Sequence, residues 1–73
     1  MRRKTWKVRI TGLVSRLRGD GARVAVPTGD YTMLEADSGA YELSSADLSF
    51  SLTLVEVSTY AHERQLKIEG PWP

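Results

Sequence analysis

Few side chains in this sequence could do covalent or metal chemistry, and their spacing argues against each reaction in turn. His62 is the single histidine and there is no cysteine, so the His and Cys ligand set of a usual zinc site cannot be assembled. Flanked by Glu63 and Arg64, its imidazole reads as a solvated loop group. Asp30, Glu35, Asp37, Glu42 and Asp47 form a stretch without a base, but they lack EF-hand spacing and read as the rim of hairpins. No serine sits in a nucleophile elbow. Gly19, Gly21 and Gly29 lack the Lys-Ser/Thr and the helix of a phosphate loop. Arg18-Gly19-Asp20 matches the tripeptide that integrins bind, yet a Gly-Asp-Gly turn is reason enough for it. The expectation is a non-enzymatic protein with no cofactor and no metal.

Charge carries the stronger signal. Residues 1–23 hold eight bases (Arg2, Arg3, Lys4, Lys7, Arg9, Arg16, Arg18 and Arg23) against Asp20 alone, a net of +7. Residues 24–73 hold Arg64 and Lys67 against eight acids, a net of −6. The formal net charge of +1 therefore conceals a dipolar chain, which suggests one basic surface or arm that seeks an anion. Arg3, Thr5, Lys7, Arg9 and Thr11 share parity, so a basic tail would run directly into a basic strand face. Arg16 and Arg18 can join that face through the following hairpin. Binding through it would release counterions and depend on salt. Trp6 falls on the opposite, apolar parity and belongs to the core rather than to a base-stacking platform. Trp72, between two prolines, has two readings: a lid folded back on an open barrel end, or an anchor for a partner's pocket. The expected partner-binding residues are Arg2, Arg3, Lys4, Lys7, Arg9, Arg16, Arg18 and Trp72.

The elements that must position these residues are mostly strands, because the hydrophobic period is two. Trp6, Val8 and Ile10 alternate within Thr5–Thr11, and Gly12 marks a bend or bulge. Leu13–Arg18 and Ala22–Val26 flank the Gly19-Asp20-Gly21 turn, and Pro27–Asp30 is a second turn. Tyr31–Asp37 and Ala40–Ser44 form a hairpin about Ser38-Gly39. Ser45-Ala46-Asp47 suits one helical turn. Leu48, Phe50, Leu52 and Leu54 alternate without exception, which predicts a strand over Leu48–Leu54 with all four inward. Val55 reads as a bulge, Ser58–Glu63 as a loop, and Arg64–Glu69 as a closing strand with Leu66 and Ile68 inward. The expected fold is all-β: a small antiparallel open barrel or twisted sheet of five or six strands, SH3-like or OB-like in size. The alternative is α+β, with one short helix at Gly12–Arg18 or after Ser45.

Seventy-three residues make one small domain: a basic tail over 1–4, a β domain over 5–69 and a Pro/Trp tail over 70–73. No apolar run approaches the length of a membrane span, the alternation after Lys4 is not that of a signal peptide, and the absence of cysteine fits a reducing compartment. The expectation is a cytoplasmic monomer with no membrane partner.

A cysteine-free chain of this length, opening on Met1-Arg2-Arg3-Lys4 and continuing into compact structure, resembles the small regulators that lytic phages direct at host RNA polymerase, and is similar in size and character to that of a Xanthomonas phage. The resemblance implies that the partner is the polymerase, bound at the N-terminal part of its largest subunit near the RNA exit channel, in the host bacterial cytoplasm. It implies inhibition of initiation by displacement of the σ factor, and antitermination. It maps no motif onto single positions, so the site residues above come from charge and pattern. The alternative is a direct nucleic-acid-binding domain using the same basic surface, with RNA contact by the N-terminus.

Overall fold

The computed structural model describes residues 4–72; Arg2 and Arg3 lie outside the described residues. Seven strands and one helix follow one another: β1 (Thr5–Ile10), β2 (Ser15–Leu17), β3 (Arg23–Ala25), β4 (Gly29–Glu35), β5 (Tyr41–Ser44), β6 (Ser49–Leu52), α1 (Leu54–His62) and β7 (Leu66–Ile68). Five strands form an antiparallel sheet in the order β6-β5-β4-β1-β7, and β2 and β3 form a separate two-stranded sheet. The fold is thus all-β with one short helix, an open arrangement rather than a closed barrel.

The alternation of β1 aligns its apolar face with that of its neighbours. Trp6 stands opposite Met33 and Val8 opposite Tyr31, while Val8 also faces Ile68 and Ile10 faces Leu66. Leu43 in turn faces Met33 and Phe50. A one-residue slip would turn this whole set to solvent. The inner face is covered by the hairpin and the helix, which add Val14, Val26 and Val57 to the buried core, with Tyr60 and Ala61 packed against it. Two bonds and one ion pair tie the hairpin to the helix. Ser15 N–H donates to the Tyr60 hydroxyl at 3.3 Å, the Ser15 and Tyr60 hydroxyls lie 3.4 Å apart, and Arg23 lies 3.6 Å from Glu56.

At Gly12 the N–H groups of Thr11 and Gly12 both donate to Gln65 O, at 3.0 and 3.1 Å. This is the two-against-one pairing of a bulge. A Cβ on Gly12 would come within 3.3 Å of the Gln65 backbone, so the close approach favours glycine here.

Three expectations are corrected. The strand expected over Leu48–Leu54 stops at Leu52, and Leu54 is half exposed rather than core (50 %). The segment expected to hold a bulge at Val55 and a loop over Ser58–Glu63 is instead helix α1, with Glu63 as its C-cap. The cause is a capping box: the Thr53 side chain accepts from Glu56 N–H at 3.1 Å, and Glu56 accepts from Thr53 N–H at 2.9 Å. Val57, Tyr60 and Ala61 then fall on the covered face at helical spacing. Ser45-Ala46-Asp47 is not helical but a tight connection closed by Ser45 N–H to Leu48 O at 2.8 Å.

The helix ends in a Schellman motif. Gln65 N–H donates to Tyr60 O at 3.0 Å and Arg64 N–H to Ala61 O at 3.2 Å, with Arg64 at φ 64. An L side chain in this left-handed conformation costs about 1–2 kcal/mol. Arg64→Gly is therefore expected to stabilise the fold by about 1 kcal/mol, raising Tm by about 4–8 °C. A melting curve checks this, and an unchanged or lower Tm would contradict the strain.

Candidate anion-facing sheet surface

The outer face of the five-stranded sheet collects the basic positions of β1. Lys7 and Arg9 are exposed there, and the pairing of β1 with β7 sets Lys67 directly opposite Arg9. With Asp30, Thr32, Ser44, Ser45 and Glu69 they line an open groove of about 810 Å³. The cations are not all available to a partner. Arg9 Nε donates to Asp30 at 2.9 Å, and this hydrogen bond and charge raise the Arg9 pKa above its ordinary value. Lys7 faces Thr32 across β4. Three cations, two acids and a row of hydroxyls make a surface suited to reversible contact with carboxylates or phosphates.

The remaining expected residues are scattered. Lys4 is exposed at the start of β1. Arg16 and Arg18 do not extend the row of Lys7 and Arg9, because the β2–β3 hairpin forms its own sheet. Arg16 is half-buried. Arg18 makes a two-nitrogen contact with Asp20, at 2.6 Å from Nη2 and 3.0 Å from Nε. That contact, reinforced by the Ala22 N–H, holds the Asp20 carboxyl below the ordinary carboxylate range. The Arg18-Gly19-Asp20 tripeptide is thus closed on itself.

Trp72 packs against the core, its ring 5.8 Å from that of Tyr41 in an edge-on arrangement, and Tyr41 meets Trp6 in the same way at 6.0 Å. Trp6 Nε1–H donates to Pro71 O at 3.1 Å, fixing the tail. Among the described residues, the buried Trp72 Nε1 finds no hydrogen-bond partner. The six aromatic residues, Trp6, Tyr31, Tyr41, Phe50, Tyr60 and Trp72, all belong to the core or pack on it; Tyr31 borders the basic groove but is buried, with its ring edge-on to Phe50.

Burial, and then the Glu35 carboxylate 3.1 Å away, hold the Tyr41 hydroxyl above its ordinary pKa; burial does the same for Tyr31. A folded pKa raised above the unfolded value contributes stability that is complete below the unfolded pKa of 10.0 and is lost as pH rises through the folded one. Unfolding followed across that range should show stability falling on the alkaline side, with less fall in Tyr41→Phe.

Lys67 is the member of the site that sequence reasoning missed. It lies far from the basic segment in the chain, and only the β1–β7 register brings it beside Arg9. Among the described residues no helix is long and apolar enough to cross a membrane. No family model, curated protein or solved structure matches this chain.

Proposed function

We propose that this protein is a non-enzymatic docking module directed at host RNA polymerase, of the kind lytic phages use to restrain initiation and promote passage through terminators. The observation that carries the docking reading is the Lys7–Arg9–Lys67 row on an open sheet face, whose bordering aromatic residue, Tyr31, is buried with its ring edge-on to Phe50. Such a face offers charge-assisted contacts to carboxylates but no platform on which bases stack, which favours a protein partner over single-stranded nucleic acid. The polymerase as that partner follows from the resemblance in length, lack of cysteine and the Met1-Arg2-Arg3-Lys4 opening. The −6 remainder of the chain repels duplex DNA and leaves direct binding to it weak and salt-sensitive.

Direct nucleic-acid binding is the second reading, favoured by the hydroxyls of Thr32, Ser44 and Ser45 beside the cations, a set that suits phosphate oxygens. Purified components separate the two. The protein is expected to bind host RNA polymerase at near-physiological salt, to depress promoter-dependent initiation and to raise terminator read-through. Tight, sequence-specific DNA binding with no effect on the polymerase would sink the first reading and promote the second.

A further inference from the structure

The two edges of the five-stranded sheet, β6 and β7, are defended unequally against another strand. β7 carries Lys67 and is flanked by Arg64 and Glu69, charges of the kind that keep edges from pairing. β6 lies within residues 48–55, which hold no charge, no proline and no glycine. Its backbone is also turned to the open side. Ser45 N–H donates to Leu48 O at 2.8 Å, and the same register continues through Leu43 with Phe50 and Tyr41 with Leu52. Phe50 and Leu52 therefore direct their backbone groups at β5, and the alternating residues Ser49 and Ser51 turn N–H and C=O outward. Both serines are exposed. The β2–β3 hairpin approaches β6, but its two strands pair with each other alone, and among the described residues no backbone hydrogen bond joins it to either serine.

Apolar side chains gather beside this same edge. Among the described residues, Leu13, Leu17, Leu54 and Val55 are the large hydrophobic ones left exposed. Leu54 and Val55, at 50 % and 73 %, follow β6 directly and open α1. Leu17 stands opposite Arg23 in the hairpin, and Arg23 pairs with Glu56, the residue after Val55. That ion pair draws the Leu17 end of the hairpin toward the first turn of the helix. Isolated apolar residues on a surface are ordinary; a group of them next to unpaired strand backbone marks a place of contact.

We infer that β6 pairs antiparallel with β6 of a second copy of this chain, joining two sheets into one and making a dimer rather than the expected monomer. The occupant is a second copy because the edge is complementary to itself. A two-fold axis beside Phe50 sets Ser49 of each copy opposite Ser51 of the other, and both pairs exchange backbone bonds. No like charges meet at that axis, and a strongly charged segment of another protein would find no counter-charge in residues 48–55. The basic rows stay apart as well. β1 is the fourth strand counted from β6, so at ~4.8 Å per strand the Lys7 and Arg9 side chains of the two copies lie about 34 Å from each other, several times the screening length of physiological salt. The dimer uses the edge opposite the basic strands and is independent of the polymerase reading.

Sedimentation of the full chain from micromolar to submillimolar concentration is the test, with amide hydrogen exchange read on the same samples. The mass is expected to rise from that of one chain to that of two, and the Ser49 and Ser51 amides to gain protection with concentration. Ser51→Lys places a guarding charge on the edge and should hold the chain monomeric while circular dichroism stays native. Leu54→Asp should do the same, and an acid in the first turn suits α1, so its effect cannot come from a weakened helix. One chain's mass at every concentration, or a dimer whose Ser49 and Ser51 amides exchange freely, would overturn the inference. So would a dimer that persists in both variants. A dimer closed through β6 that ignores polymerase would leave the inference standing and remove the polymerase reading. A monomer that binds polymerase would do the reverse.

Discussion

Phe50→Ala is expected to bring the protein close to unfolding at room temperature. Phe50 is 7 % exposed, faces Leu43 across β5, and sets its ring edge-on to Tyr31 at 5.7 Å. Truncating such a ring costs about 3–5 kcal/mol, through lost transfer energy and the cavity left behind. A chain of 73 residues has only about 4–11 kcal/mol of stability to lose. The surroundings have little freedom to collapse into the gap. Tyr31 is held by its hydroxyl donating to Pro27 O at 2.7 Å, and Leu43 and Leu52 are themselves buried. Urea unfolding should show the midpoint falling steeply and Tm dropping by more than about 12 °C. A Tm within about two degrees of wild type would remove Phe50 from the core.

The double substitution Lys7→Ala, Arg9→Ala is expected to leave the fold intact and to weaken polymerase binding by about tenfold or more. Both side chains are exposed, and the pair that Arg9 forms with Asp30 has both partners largely in solvent, at 65 % and 77 %. Pairs of this kind add little to folding. Their field in solution is another matter, since an open cationic row accelerates encounter with an acidic surface and is screened by salt. The loss should therefore lie mainly in the association rate, and the variant's affinity should depend less on ionic strength. Affinity unchanged at low salt would show that the row is not the contact surface.

The strands were legible because their signal is local. Trp6, Val8 and Ile10, or Tyr41 and Leu43, need only alternate for one face to be buried, and the structure buries those faces. The helix was misread for an equally local reason. The alternation of Leu48, Phe50 and Leu52 runs on to Leu54 by coincidence of type, and it masked the Thr53–Glu56 capping box that ends the strand and starts α1. Thr-x-x-Glu ahead of Val57, Tyr60 and Ala61 was a readable start signal that period-two reasoning overrode. The site was legible only in part. Parity placed Lys7 and Arg9 on one face, but no local pattern shows that Asp30 neutralises Arg9 or that Lys67 joins the row. Those are facts of register between segments far apart in the chain, and register is what tertiary packing supplies.

The position of β1 in the sheet also governs how the molecule assembles in time. β1 lies between β4 and β7, and pairing Val8 with Ile68 joins residues from opposite ends of the described chain. A loop of that length must be closed, with its entropy lost, before the pairing returns any free energy. Folding dominated by such distant contacts runs on the scale of milliseconds to seconds rather than microseconds. Until it is complete, the alternating strands expose their apolar faces and unpaired edges together, the state in which small β proteins aggregate. The Trp6 bond to Pro71 closes a loop of similar length, so indole fluorescence is a direct clock for this closure.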